Sequence, residues 1–305
     1  MLDETDRDRL ILCSFTGKIE DGHHQIHEYS GDYSEAFRFW LDYDPPPEVM
    51  KSQAKVAATL RELTKSASSP AERERLNYLA RFVEFLVPYS ESWVLASRLH
   101  HILQQALELR KRGKAEEARQ KVMAEGIPLW LKLAPLVREA LLDFQEIVST
   151  RNDIGALASL HNKYERLALF RLRLSMKEFL GELPAETEKL WDEVRRPDPS
   201  AAQRVFIPTR PTLLRAGERV RVFAVAPGRG KVSRVSLYVR MSGSEKWNQR
   251  SMTLVGRRTF VGELPSGESA FSLLDYYAEA EFQSGGVRSV VTAPLEAPTR
   301  FYTVT

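Results

Sequence analysis

The chain has 305 residues, of which 43% are hydrophobic and 28% charged, an ordinary balance for a soluble globular protein. A single cysteine, Cys13, excludes an intramolecular disulfide framework, and no run approaches the ~20 apolar residues of a membrane-spanning helix. The net charge of +3 is unevenly distributed: from Arg204 onward, 15 Lys and Arg face 8 Asp and Glu, a balance of +7, against −4 for residues 1–203. The length and this asymmetry predict two modules.

Residues 1–33 are predicted to form a strand followed by a long loop. Arg9–Phe15 is short and apolar and lies between charged residues and Gly17, as is typical of a strand. The first residues lack the features of a signal peptide. The chain is therefore expected either to be cytoplasmic or to be the downstream part of a longer polypeptide, and the compartment stays open.

Residues 34–196 are predicted to form an antiparallel helical bundle around one long helix. This helix begins after the N-cap Ser69, with Pro70 at its first position and Glu72 placed for a capping box, and it ends at Gly113. Pro88 is expected to kink it. Apolar stripes at spacings of three and four are interpreted as core rather than as a ligand site. Further helices are predicted at 34–43, 48–67, 114–124, 127–148, 154–180 and 184–194.

After a Pro-containing linker at 197–203, the pattern changes to short strands. Val235, Leu237 and Val239 alternate with polar residues, which places them on one face of a strand. About seven such strands over ~100 residues, with turns between them, indicate an Ig-like or fibronectin III-like β-sandwich over residues 204–305. The strands are predicted at 220–225, 235–240, 247–254, 259–264, 275–282, 287–291 and 301–304. The predicted fold class is therefore α+β with two modules.

The strand region also resembles a known class of domain. The runs Val235–Arg240, Phe260–Pro265 and Asp275–Ala280, with Trp247 between them, are similar to Ig-like domains at the C-termini of bacterial multidomain glycoside hydrolases. The resemblance covers residues 204–305 and reaches 48–196 only through helical character and order. It implies extracytoplasmic carbohydrate processing with this chain as an accessory part. It implies no catalytic residues, because the matching positions are turn and core positions. The sequence departs from the family in lacking a catalytic barrel of roughly 250 residues, so the resemblance implies that the chemistry lies elsewhere.

The densest group of metal-ligand side chains is His23, His24, His27 and Glu28. A helix would place His23 and His27 on one face, but the glycine before them favours a hydrogen-bonded surface loop. Contact with a sugar or a protein, or an enzyme site formed with Trp40, are alternatives. Metal binding is less favoured, and no metal or cofactor is predicted.

Carboxylates for glycosidase chemistry must lie about 5–10 Å apart across one cleft, and the sequence alone brings no two together. The carboxylates that lie near aromatic residues are Asp42, Asp44, Glu91, Asp143 and Glu146. Adjacent His100 and His101 are interpreted as structural, and Ala226–Lys231 as a turn rather than a phosphate loop.

Trp247 is interpreted as a core residue, with stacking on a sugar ring beside Tyr238 as the alternative. The arginines of the strand region are spread over several strands without the interleaved aromatics of a nucleic-acid interface. They predict a solvated face, with an acidic polysaccharide or a protein surface as the next alternatives.

The expected function is that of a non-catalytic accessory or scaffolding region of a carbohydrate-active protein or assembly. It would pack against a catalytic module and contact glycan through His23, His27, Glu28, Trp40 or Trp247. Two alternatives stay open: a glycoside hydrolase-type enzyme with its site at the N-terminal His/Glu loop, and a structural protein-interaction protein. The expected partners are another protein module or subunit and polysaccharide, not nucleic acid.

Overall fold

The computed structural model describes residues 47–196, 201–213, 219–265 and 273–304, and it confirms an α+β protein with helices first and antiparallel sheets after them. Its contacts define two units. One contains the described residues up to Val148 together with Ile154–Arg196, and the other contains Ser149–Asp153 and the described residues after 196. The strand predicted at Arg9–Phe15, the helix at 34–43 and the first part of the linker at 197–203 lie outside the described residues.

The predicted helices of the described region are confirmed to within a few residues. They are α1 (Pro47–Ser66), α2 (Pro70–Lys111), α3 (Ala115–Lys121), α4 (Ile127–Ile147), α5 (Arg151–Ser159), α6 (Leu172–Leu180) and α7 (Ala185–Val194). Two π-helical segments interrupt them: π1 (Val122–Gly126) joins α3 to α4, and π2 (Leu160–Arg171) joins α5 to α6. The helix predicted at 154–180 is therefore wound differently in its middle, although its ends are close to those expected.

The start of α2 follows from its sequence. Ser69 Oγ accepts a hydrogen bond from the backbone N–H of Glu72 at 3.1 Å, which confirms the N-cap. The Glu72 carboxylate accepts hydrogen bonds from the hydroxyl and the backbone N–H of Ser68, at 2.8 and 2.9 Å. In a standard capping box this carboxylate would accept instead from the backbone N–H of the N-cap, Ser69. The hydrogen bonds from Ser68 hold the pKa of Glu72 below its usual range. The helix continues through Pro88 and ends before Gly113, whose φ is +77°.

The core of the helical unit forms where α2 packs against α4 and π2. The rings of Phe85 and Phe144 meet edge to face at 5.0 Å, and Tyr164 of π2 lies 5.5 Å from Trp93 and bonds through its hydroxyl to Ser92. All are buried. The sequence predicts that the aromatic residues spaced by three and four along α2, Tyr78, Phe82, Phe85 and Tyr89, all lie in the core. This is wrong for Tyr78, which is 39% exposed.

The C-terminal unit contains two antiparallel sheets. Its strands are β1 (Arg221–Val225), β2 (Lys231–Met241), β3 (Asn248–Ser251), β4 (Thr253–Leu254), β5 (Thr259–Glu263), β6 (Leu274–Ser284), β7 (Val287–Ala293) and β8 (Tyr302–Val304). One sheet has three strands in the order β1-β5-β4. The other sheet has five strands: β3, β2 and β6 lie side by side in that order, and β7 and β8 both pair with the edge of β6 that faces away from β2. The single strand predicted at 247–254 is wrong, because the chain passes from one sheet to the other at Met252.

Strand alternation decides which side chains face the core shared by the two sheets. Val235, Leu237 and Val239 of β2 face it, as predicted, opposite buried residues of β1 and β5. The residues between them, including Tyr238 and Arg240, lie on the outer face. β2 and β6 pair in a register that places all these outer residues opposite polar or aromatic partners of β6.

Candidate functional site

Four of the five predicted ligand-binding residues, His23, His27, Glu28 and Trp40, lie outside the described residues, so their roles stay predictions. Within the described ranges, no group of three or more His, Cys, Asp and Glu residues could hold a metal ion. In the same part of the chain, no helix has the length and apolar character needed to cross a membrane. Trp247 is the predicted site residue that the structure places.

Trp247 immediately precedes β3 and is half-buried on the outer face of the five-stranded sheet, so its assignment to the core is wrong. Its ring meets the ring of Tyr277 edge to face, with centroids 4.9 Å apart. Phe301, immediately before β8, lies 5.9 Å away, and the guanidinium carbon of Arg240 lies 4.3 Å from the centroid of the indole ring. We name Trp247, Arg240, Tyr238, Tyr277 and Phe301 the aromatic–arginine patch.

The register of β2 and β6 builds the floor of this patch. Tyr238 is directly opposite Tyr277, and their rings stack with centroids 4.5 Å apart and planes 3° apart. Burial raises the pKa of Tyr277 to about 12, and burial and the charge of Glu279 raise that of Tyr238. The Tyr238 hydroxyl donates to Glu279 Oε1 at 3.2 Å. Both phenols are therefore neutral hydrogen-bonding groups at neutral pH.

Arg240 is fixed in place by a buried carboxylate. It lies opposite Asp275 in the register, and its Nε donates to Asp275 Oδ2 at 3.1 Å. Asp275 is 1% exposed, and its other oxygen accepts from the Thr303 hydroxyl at 3.0 Å. The guanidinium carbon also lies 4.7 Å from the Phe301 ring centroid, so an ion pair and two aromatic rings determine its position.

The aromatic–arginine patch combines apolar rings with hydrogen-bonding groups. Phe301 is 37% exposed, and Trp247 and Tyr238 are half-buried. On the same face, the Gln249 side-chain amide donates to Ser236 Oγ at 3.0 Å. A surface of this kind can stack against the C–H groups of a ligand while polar side chains at its margin bind hydroxyl or charged groups.

The candidate carboxylates Asp143 and Glu146 both lie on α4, in different surroundings. Glu146 forms an ion pair with Arg81, and Glu84 of α2 forms one with Arg61. Asp143 is half-buried, and burial, with the charges of neighbouring carboxylates, raises its pKa from 3.8 to about 6. Glu146 and Glu84 are thus each paired with an arginine, whereas Asp143 titrates with a raised pKa.

We expect Asp143→Asn to stabilise the protein by about 1 kcal/mol at pH 7.5, a value reduced because a half-exposed carboxylate is screened by water. Because the pKa of Asp143 is higher in the folded protein, the contribution of its protonated form to stability is complete below pH 3.8 and is lost as the pH rises through about 6. Asp143→Asn should therefore gain little stability over the wild type at pH 4. Urea unfolding at both pH values measures this, with exposed Asp192→Asn as control; a gain that is the same at both pH values would contradict the assignment.

Two other sequence motifs have structural roles. Ala226–Lys231 connects β1 to β2, and Gly228 and Gly230 have positive φ values, which confirms a turn. The rings of His100 and His101 meet edge to face at 6.1 Å, with His101 exposed. Neither motif contributes to the aromatic–arginine patch.

Sequence reasoning missed three members of the patch: Arg240, Tyr277 and Phe301. The period-two alternation of β2 already placed Arg240 and Tyr238 on one face, and this was the available signal. In comparisons with known proteins, no family model and no curated protein matches the chain.

Proposed function

We propose that the C-terminal unit is an Ig-like β-sandwich that contacts glycan through the aromatic–arginine patch. The chain as a whole is a non-catalytic accessory region of a carbohydrate-active protein and packs against a catalytic module. The observation that carries this proposal is the position of Trp247, which lies on an outer sheet face against the rings of Tyr277 and Phe301 and not in the core.

The finer fold assignment has support in both units. Two antiparallel sheets that share one core are the arrangement expected of a sandwich. In the first unit, α2 packs along α1 and α4, and short turns join several of the helices. These contacts support an antiparallel bundle that serves as a spacer.

The chemistry of the aromatic–arginine patch suits a sugar ring. A pyranose has C–H groups on its faces and hydroxyl groups at its edge, so it needs an aromatic surface with hydrogen-bonding groups beside it. Trp247 and Phe301 supply the aromatic surface, and Glu279, Gln249 and Arg240 carry the polar atoms at its margin.

Trp247→Ala should weaken oligosaccharide binding at least about tenfold, because a stacked aromatic ring contributes on the order of 1.4 kcal/mol or more. Calorimetric titration against the members of a glycan array that bind the wild-type chain measures the effect. Phe223→Ala is the matched control: Phe223 is 39% exposed, close to the 37% of Phe301, but lies on the outer face of the three-stranded sheet. Equal binding by the wild type and Trp247→Ala would contradict the proposal.

The enzyme alternative depends on His23, His27, Glu28 and Trp40. If the chain hydrolyses a glycoside and His27→Ala or Glu28→Ala abolishes turnover, the accessory role is replaced by a catalytic one. The glycosidase assay belongs in the same experiment as the binding measurements, because binding without turnover supports the accessory role.

The protein-interaction alternative is favoured by the outer face of the three-stranded sheet. Phe223 is 39% exposed and is directly opposite the half-buried Val261 in the register. An apolar face of this kind is suited to packing against another protein module. A concentration-dependent oligomer that Phe223→Glu dissolves would favour self-association over packing against a different module.

A further inference from the structure

We infer that the glycan bound at the aromatic–arginine patch is anionic, and that Arg240 binds the carboxylate of a uronic acid through its two Nη groups. This inference rests on the proposed glycan-binding function and adds the chemical class of the ligand. It follows from the hydrogen bonds of Arg240, from the way its guanidinium is held, and from the charge of the surrounding unit.

The hydrogen bonds of Arg240 leave one edge of its guanidinium available. A guanidinium has five N–H donors, and in Arg240 the Nε donor is used by Asp275. The Nη groups make no hydrogen bond to any described residue, and the side chain is 18% exposed. The two Nη groups together match the two oxygens of a carboxylate in an end-on, bidentate arrangement.

The guanidinium is also held rigidly. Trp247 and Phe301 both lie against it, at 4.3 and 4.7 Å from its carbon, and the buried Asp275 fixes its Nε edge. A donor pair that is already ordered loses little side-chain entropy when a ligand binds. The ring that would stack on the sugar and the cation that would bind its carboxylate therefore belong to one preorganised group.

The charges around the patch favour an anion. The chain from Arg204 onward has a balance of +7. Of the carboxylates on this sheet face, Asp275 accepts hydrogen bonds through both oxygens, and Glu281 is paired with Arg234 and Arg288. Glu279 accepts from the Tyr238 hydroxyl. These carboxylates already have protein partners, so the Nη edge of Arg240 remains for a carboxylate of the ligand.

The test uses galacturonate and glucuronate oligosaccharides, each compared with its methyl ester, which keeps the sugar and removes the charge. The full chain is titrated calorimetrically with all four ligands. We expect at least one acid to bind about tenfold more tightly than its ester, since charge-assisted bidentate hydrogen bonds are stronger than those to a neutral group. Equal affinity for each acid and its ester overturns the inference.

Arg240→Lys is the decisive variant because it keeps a positive charge next to Asp275 but removes the bidentate donor pair. It should lower the affinity for the acid about tenfold more than it lowers the affinity for the ester, since only the acid uses the bidentate pair. Phe223→Ala is again the control, and thermal unfolding of each variant checks that the fold persists. Unchanged affinity of Arg240→Lys for the acid overturns the assignment of Arg240.

The two proposals fail differently in this experiment. If acids and esters bind equally and Trp247→Ala removes both, the aromatic–arginine patch is a site for neutral glycan, and only the carboxylate inference is wrong. If no oligosaccharide binds, the proposed function itself is wrong. A sulfated oligosaccharide without uronate that binds more tightly than the uronates, and that depends on Arg240, would assign the Nη groups to a sulfate ester instead.

Discussion

Gly228→Ala should destabilise the C-terminal unit by about 3 kcal/mol or more, enough to remove much of the stability of a typical domain. Gly228 has a φ of +121°, which side-chain-bearing residues rarely adopt. A Cβ atom there would lie 2.5 Å from the carbonyl oxygen of Ala202 and from the Cα of Gln203. These are backbone atoms, so no side chain can rotate to relieve the clash.

The control for this prediction is Gly243→Ala in the turn after β2. Gly243 has a φ of +86°, but a Cβ atom there would meet nothing within 4 Å. We therefore expect only the conformational cost of positive φ, about 1 kcal/mol. Urea unfolding followed by near-ultraviolet circular dichroism compares the two variants. Equal losses would show that the close approach of Gly228 to the 202–203 backbone is not what determines the effect.

The Gly228 turn also affects the candidate site through β2. The same strand carries Tyr238 and Arg240, and its position depends on the turn that leads into it. At a temperature low enough for Gly228→Ala to fold, this variant should bind oligosaccharide more weakly than the wild type, even though position 228 is not in the aromatic–arginine patch. Gly243→Ala should bind more like the wild type.

Trp130→Ala should destabilise the helical unit by about 3–5 kcal/mol, the usual cost of removing a fully buried tryptophan. Trp130 of α4 is 0% exposed, and its Nε1 donates to the carbonyl oxygen of Leu169 in π2 at 3.4 Å. The substitution would leave a large cavity and remove this hydrogen bond between α4 and π2.

Leu79→Ala is the matched control for the helical unit, because Leu79 is 47% exposed on α2. We expect it to lower the free energy of unfolding by less than about 1 kcal/mol. Chemical denaturation followed by far-ultraviolet circular dichroism measures both variants. A loss for Trp130→Ala as small as that for Leu79→Ala would contradict the contact between α4 and π2.

The helix ends could be predicted because their causes are local. Ser69 and Gly113 act on residues within four positions of themselves, through a hydrogen bond at one end and a positive φ at the other. The π-helical winding of π2 could not be predicted. Its apolar positions fit an α-helical period, and its contacts are distant in sequence, such as that of Tyr164 with Ser92, 72 residues away.

In the candidate site, too, features with local causes could be predicted and those that depend on distant residues could not. Alternation along β2 predicts that Tyr238 and Arg240 share a face, but the partners Asp275 and Tyr277 depend on the register with β6. The sequence predicts a core position for Trp247 because tryptophan is common in sandwich cores. Its position in the structure depends on the hairpin turn after β2, which brings the chain back as β3 beside β2. The raised pKa of Asp143 likewise depends on burial within the folded unit and, to a smaller extent, on the charges of Glu139 and of Glu84 on another helix.

The most direct test of glycan binding at the aromatic–arginine patch uses the indole N–H signals of the five tryptophans in a ¹H–¹⁵N spectrum, assigned by substitution. Oligosaccharide should shift the Trp247 signal in a saturable manner and leave those of the buried Trp93 and Trp130 unchanged. A saturable shift of the Trp40 signal, with that of Trp247 unchanged, would contradict the account and place the ligand at the N-terminal His/Glu loop.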